Sequence, residues 1–331
     1  MKTLTVQEAR QLVERTMVTV GHTAVEADVI ADHLIDCELR GLHYGGLPRA
    51  VFITEQIKAM SRPRGPIRLL RESPISAKFD GGNQVGYLVA RRATETAIEK
   101  ARSRGIAAVG ASKTWCTGMF SYYLEMVTRN GLVGMIAGSG GAFVAPFGGT
   151  DRKFCTNPIA FGFPSKDTPV IWDIGTSAIA HAEVLLNWRL GQALPGGVAY
   201  DSDGRPTTDP AEALSGALAV WGGPRGSGLA LSIQLLGMLA GQINSEELLA
   251  DCGFFIVAVD PELFGGAEEF RDRVSAFAST VRASRPADPG QPVRVPFERS
   301  EAERKIRLAA GSIEVEDLIV DTLHGICNLE K

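Results

Sequence analysis

Histidine is scarce in this chain, with five in 331 residues. A mechanism built on imidazole therefore has few donors to draw on. Cysteine is equally sparse. Cys37, Cys116, Cys155, Cys252 and Cys327 are odd in number, widely spaced and free of any C-x-x-C. That excludes a disulfide framework and a zinc knuckle, and they read as free, mostly buried thiols of a reducing compartment. Excess positive charge is also missing. Thirty-four Lys and Arg against 38 Asp and Glu leave a formal net charge of −4, so there is no bulk nucleic-acid footprint. The start of the chain has no apolar targeting core. The most apolar stretch, Leu229 to Gly241, is broken by Ser232 and Gln234 and is shorter than the about 20 residues of a bilayer span. These absences point to a soluble cytoplasmic protein with neither a membrane nor a nucleic-acid partner.

The usual nucleotide and nucleophile motifs are absent as well. No G-x-G-x-x-G follows a strand; Gly138-Ser139-Gly140-Gly141-Ala142-Phe143 lacks the last glycine. There is no G-x-x-x-x-G-K-[ST] and no G-x-S-x-G. Asp201-Ser202-Asp203-Gly204 starts like a calcium loop but lacks its continuation, and reads as a solvated turn. No metal site is expected.

What is present is an ordinary globular composition, 45% hydrophobic and 22% charged, with 37 glycines. Thr5 with Glu8, and Thr23 with Glu26, are capping-box pairs that open two helices. A turn at 40–49 leads to a third helix expected to run to about Met60. Pro63, Gly65 and Pro66 break the chain, and a domain boundary is placed near residue 75. Helix- and strand-like segments then alternate: a helix over 88–104, a strand over 106–109, a helix over 120–130, and strands over 132–137 and 170–172. A helix over 227–239, a strand over 254–259 and an amphipathic helix over 268–282 follow. Residues 285–296 hold four prolines and read as extended. The last helix is placed at about 300–310. This is an α/β chain with a helical N-terminal layer.

Three polar groupings suggest a site. Asp173 ends an apolar run ahead of Gly175-Thr176-Ser177, either a strand-end carboxylate facing a ligand or a helix cap. Thr156-Asn157-Pro158 either presents amides to a ligand or turns the chain. Arg225 lies in a glycine-rich turn before an apolar helix, as an anion site or a surface residue.

In this order the segments resemble the malate/L-lactate dehydrogenase-like family, over nearly the whole chain. Thr156-Asn157-Pro158-Ile159-Ala160-Phe161, Asp173 with Thr176-Ser177, Leu194-Pro195-Gly196-Gly197-Val198-Ala199 and the run from Asp201 to Pro210 carry the resemblance. It implies reduction of small 2-oxo acids or cyclic imino acids with NADPH or NADH, and a non-Rossmann α/β fold. It also implies a homodimer with sites near the interface. The expected division is a helical N-terminal domain over 1–75, a dinucleotide-binding-type domain over 76–295 and a C-terminal segment, 296–331, returning to the first. Gly118, Asn157, Thr176, Ser177, His181, Arg225 and Glu298 are the expected cofactor contacts. Arg49, Trp115, Cys116 and Thr156 are expected at the substrate.

Departures from the family fall on the chemistry. Its R-G-x-x-S-H-G-x-x-R turn reads Arg40-Gly41-Leu42-His43-Tyr44-Gly45-Gly46-Leu47-Pro48-Arg49, so Tyr44 stands for the serine and Gly45 for the proton-donating histidine. A second histidine position holds Cys116. A basic-Gly-Lys triplet holds His181-Ala182-Glu183, and a late glycine position holds Phe297. One reading is a reductase with a substitute acid. His43 has the better matched pKa and Tyr44 the better position, and Asp173 is kept. The other is a non-redox reaction on an imine or carbonyl, with Glu183 or His181 as base and with Trp115 and Phe297 shaping room for a larger aromatic substrate. A binding protein without catalysis is the third.

Overall fold

The computed structural model describes residues 1–59, 63–243 and 251–328. The chain opens with β1 (Lys2–Thr5), α1 (Val6–Thr19), α2 (Ala24–Leu39), a 3-10 turn at His43–Gly45 and α3 (Leu47–Ala59). Both capping boxes are closed. Glu8 accepts the Thr5 N–H and Glu26 the Thr23 N–H, each at 2.8 Å, while the threonine hydroxyls accept the glutamate amides. Met60, the expected end of the third helix, lies outside the described residues.

β2 (Arg68–Ser73) and β3 (Ser76–Gln84) form a hairpin, so a boundary at 75 would cut through its turn. After it come α4 (Gly86–Arg104), β4 (Ile106–Thr114), α5 (Phe120–Arg129), β5 (Val133–Ser139), β6 (Ile159–Phe163) and β7 (Val170–Ile174). Gly105, at φ +84°, stops α4 as its residue type predicts. Next are α6 (His181–Leu190), β8 (Ala199–Tyr200), β9 (Pro206–Thr207), α7 (Pro210–Ser215), β10 (Ala217–Leu218) and α8 (Pro224–Leu239). β11 (Cys252–Val259), α9 (Ala267–Arg282), α10 (Glu298–Ala310), β12 (Ser312–Val315) and α11 (Asp317–Cys327) complete the described chain. The helix near 300–310 is thus not the last; α11 follows it.

The main sheet has seven strands in the order β2-β3-β4-β11-β5-β6-β7. Only β3 and β4 run parallel; every other neighbouring pair is antiparallel. This is not a doubly wound parallel sheet, which agrees with the missing glycine fingerprint. α4 and α5 cover one face, where Val89, Ala93, Phe120 and Leu124 meet Ile136 and Phe254. α8 packs against β5 and β11 on the other side.

A second core lies between α1, α2, α3 and α11, with Met17, Ile30, Leu34, Ile53 and Leu323 inside it. β12 pairs antiparallel with β1, from Lys2 opposite Val315 to Thr5 opposite Ser312. A third, small core joins α6 and α7 to the sheet β10-β8-β9. Among the described residues no helix is long and apolar enough to cross a membrane, and no cluster of metal-ligating side chains occurs.

Candidate functional site

A cavity of about 880 Å³ opens where the three cores meet, a volume typical of small-molecule sites. The 3-10 turn and the start of α3 form one wall. Residues 116–121, the ends of β5 and β7, and the link into α6 form the others, and 294–300 close the rim.

Arg49, in the first turn of α3, is buried at 7% exposure and faces this cavity. Its Nη2 donates to Cys116 Sγ at 2.6 Å, it bonds Tyr87, and its guanidinium lies 4.0 Å from the centre of the Phe52 ring. Among the described residues it has no carboxylate partner. A desolvated cation held rigidly without a counter-ion is a ready binding site for an anion.

Asp173 is the penultimate residue of β7 and also lines the cavity. Its Oδ2 accepts the Ser121 N–H at 2.8 Å at the start of α5, whose cap residue Met119 supplies no side-chain bond. Asp173 is therefore not the N-cap of a helix, since α6 is capped at Ala180 and α5 at Met119; it braces the first turn of α5 from the neighbouring strand and faces the cavity. Burial outweighs the amide bonds and lifts its pKa to about 6. Tyr44 lies close enough to feel Asp173 and Glu183, and burial together with these carboxylates pushes its pKa up to about 12. Glu183, half-buried on the same wall, is raised by burial alone.

His43 turns away. Its Nδ1 bonds the buried carboxylate of Glu38 at 2.8 Å, which raises the His43 pKa, and its side chain does not line the cavity. The other oxygen of Glu38 accepts the Leu47 N–H at 2.8 Å, so the pair holds the turn that presents Tyr44 and Gly45. At Gly45 an added Cβ would meet Cys37 Sγ at 3.3 Å, close but not closed to a side chain.

Of the remaining expected contacts, Cys116, Gly118, Thr156, Ser177 and His181 line the cavity. Gly118 must be glycine: at φ +75° an added Cβ would sit 2.5 Å from His33 Nε2. His181 stacks on Phe143 at 4.0 Å, and burial followed by Arg49 and Arg152 lowers its pKa to about 3, so it is neutral. Asn157 and Thr176 are buried braces instead. Asn157 Nδ2 donates to Ala230 O at 2.8 Å and Gln234 Oε1 at 3.0 Å. The Thr176 hydroxyl donates to Thr156 O at 3.0 Å.

Three more of the expected side chains lie outside the cavity lining, as His43, Asn157 and Thr176 do. Trp115 is a residue of the N-terminal core, its indole N–H donating to Asn83 Oδ1 at 3.1 Å. Arg225 is exposed near the start of α8. Glu298 accepts the Val295 N–H at 3.0 Å and pairs with Arg282.

Cys37, Trp172, Trp221, Arg294 and Arg299 line the cavity without having been singled out from the sequence. The alternation along β7 is the one usable signal, since Ile171 is buried and Trp172 is exposed. Phe297 lines the cavity too, at φ +82°, with the Arg40 guanidinium 4.5 Å from its ring centre. A bulky side chain in this left-handed region costs about 1–2 kcal/mol.

The chain matches the malate/L-lactate dehydrogenase family model over residues 4–324. It is 32% identical to L-sulfolactate dehydrogenase of Methanocaldococcus jannaschii over 332 residues, covering 97% of this chain and 95% of the relative. The solved structure of sulfolactate dehydrogenase from that organism superposes with a TM-score of 0.87 at 30% identity, over 99% of this chain and 97% of the other. Ureidoglycolate dehydrogenase (NAD(+)) of Escherichia coli O157:H7 is 31% identical, covering 95% and 94%. Delta(1)-pyrroline-2-carboxylate reductase 1 of Burkholderia ambifaria is 31% identical, covering 93% and 93%. Sequence and fold agree: this chain is a member of the malate/L-lactate dehydrogenase family.

Proposed function

We propose that this protein reduces a small 2-oxo acid or cyclic imino acid with NADH or NADPH, using Asp173 as proton donor where Gly45 has replaced histidine. The observation that carries this reading is the buried, acid-free Arg49 on the wall of a cavity that also holds Asp173 with a pKa of about 6. The substrate carboxylate would take the guanidinium, whose planar fork suits bidentate binding. The C=O or C=N group would then lie toward Asp173 and Tyr44. An acid near pKa 6 delivers a proton at neutral pH better than a phenol near 12, so Tyr44 serves as a neutral hydrogen-bond donor. An iminium substrate needs this proton less than an oxo acid does, because its nitrogen is already charged.

The lining suits a nicotinamide dinucleotide in kind. An added Cβ at Gly175 would meet nothing closer than Thr156 O at 3.6 Å, so a flat ring has room to approach that backbone. Ser177 and neutral His181 stand beside it, while Arg294 and Arg299 on the rim would meet phosphates. When bound, the cofactor supplies the hydride. The non-redox alternative leaned on Trp115 and Phe297 as shapers of the cavity, and with Trp115 in the N-terminal core half of that support is gone.

The test is a calorimetric or fluorescence titration with NADH and with NADPH, followed by substrate-dependent loss of nicotinamide absorbance. Binding with hydride loss to an imino or oxo acid supports the reading. No binding to the folded protein at millimolar cofactor overturns it.

A further inference from the structure

Glu183 is the third residue of α6, the position that Glu8 holds in α1 and Glu26 in α2. Those two glutamates fold back onto their own caps and accept the cap N–H at 2.8 Å. Glu183 does not. Its cap residue is Ala180, which has no side-chain hydrogen bond to offer, and the cap is left without a reciprocal bond. The Glu183 side chain instead contributes to the cavity wall, next to Tyr44. Among the described residues its carboxylate has neither a hydrogen-bond nor an ion-pair partner. Arg189 of the same helix pairs with Glu55, and Arg152 bonds Ser215 O; Arg294 and Arg299 stand at the cavity rim, and neither pairs with Glu183.

Arg49 presents the mirror image, a buried cation without an acid. The two do not neutralise each other, since burial alone perturbs Glu183 and no cation acts on it. Besides Arg294 and Arg299 at its rim, the cavity therefore holds a buried cation at Arg49 and a half-buried carboxylate at Glu183, neither paired with an opposite charge. Arg49, being buried, costs desolvation energy in the free protein, and a ligand with matching charges would recover it while engaging the Glu183 carboxylate.

We propose that Glu183 is a cation subsite, so that the substrate carries an ammonium or other cationic nitrogen group spaced from the carboxylate that Arg49 takes. This assignment rests on the proposed function only in taking the cavity as the substrate site. A second acidic group on the substrate would face the Glu183 carboxylate and be repelled.

Calorimetry on the full chain, without cofactor, tests this with ω-amino acids from β-alanine to 6-aminohexanoate. Dicarboxylates of matched length are the counterparts. At least one amino acid is expected to bind about tenfold or more tightly than its dicarboxylate, a difference of about 1.4 kcal/mol. Glu183→Gln should remove the preference and Glu183→Lys should reverse it, with circular dichroism confirming the fold. Equal affinities in the parent protein, no binding of any amino acid, or a preference unchanged in Glu183→Gln would each overturn the assignment. Because no nicotinamide is present, these outcomes are independent of whether hydride transfer occurs. A failed cofactor titration beside an intact charge preference would overturn the reductase reading alone.

Discussion

Two arginines nine positions apart in the chain are both buried and do opposite work. Arg40 is saturated. Its guanidinium reaches Asp36 at 2.7 Å, Glu125 at 2.7 Å and Glu301 at 3.1 Å, and lies against Phe297. These partners come from α2, α5 and α10, so Arg40 ties the helical layer to the sheet domain and to the returning C-terminal segment. Arg49 has a thiol, a phenol and an aromatic ring but no acid. A buried charge completely surrounded by opposite charges has nothing left for a ligand. One that lacks them is costly in the free protein and valuable in the complex. Burial alone therefore does not distinguish a structural arginine from a binding one; the partner list does.

Four measurements would break or sharpen that contrast. The largest effect is expected at the saturated site. Arg40→Met removes the buried cation shared by three carboxylates, leaving them only the more exposed Arg304, Arg129 and Lys305, and should cost about 3–5 kcal/mol in urea unfolding. A loss under about 1 kcal/mol would mean that the network contributes little.

Arg49→Met should do the reverse. Stability should hold or rise, because an unpaired buried cation is removed. The kcat/KM should fall by roughly 100-fold or more, by loss of a charge-assisted contact. A destabilised variant with unchanged KM would make Arg49 a second Arg40.

Asp173→Asn should lower reduction by about 100-fold. In the parent protein the rate should fall as pH rises through about 6, where the acid form is lost. The same raised pKa gives a signed stability effect. The folded state holds its proton more tightly than the unfolded chain, so stability should decline as pH rises from the ordinary aspartate value of 3.8 through about 6. In Asp173→Asn both dependences should flatten, as pH-jump kinetics and pH-resolved melting would reveal.

The smallest effect is expected at His43→Asn. The His43–Glu38 pair joins a half-exposed imidazole to a buried carboxylate, and asparagine can still donate to that carboxylate, so the substitution should cost about 1–2 kcal/mol and leave the pH profile of turnover in place. A shifted profile would bring His43 into the chemistry after all.

Local signals in the sequence were reliable where local physics decides. The threonine–glutamate boxes of α1 and α2 and the glycine stop after α4 are set by bonds spanning a few residues, and all three are found. α6 begins at His181 behind Ala180, which carries no cap signal, and the sequence does not announce it. β1 and β12 are four residues each and pair across more than 300 positions, beyond the reach of any window. The same division runs through the site. Asp173 was legible because strand end and polar residue coincide. His43 and Tyr44 are neighbours in a 3-10 turn, and only its geometry sends one to Glu38 and the other into the cavity. Trp115 follows directly on β4, but packing carries it into the N-terminal core. Arg294 and Arg299 reach the rim after a proline-rich connection that carries no periodic signal.

The pairing of β1 with β12 also sets a timetable. During synthesis at about 5–20 residues per second, β1 must wait on the order of 15–60 s for its partner strand to be made. The strands from β2 to β11 are complete well before that. Arg49 and the 3-10 turn belong to the layer that β12 and α11 finish. The sheet-side wall of the cavity can thus be assembled while the wall that bears Arg49 is still incomplete. A nascent chain arrested just before residue 312 should yield a protease-resistant sheet domain that does not yet bind carboxylates.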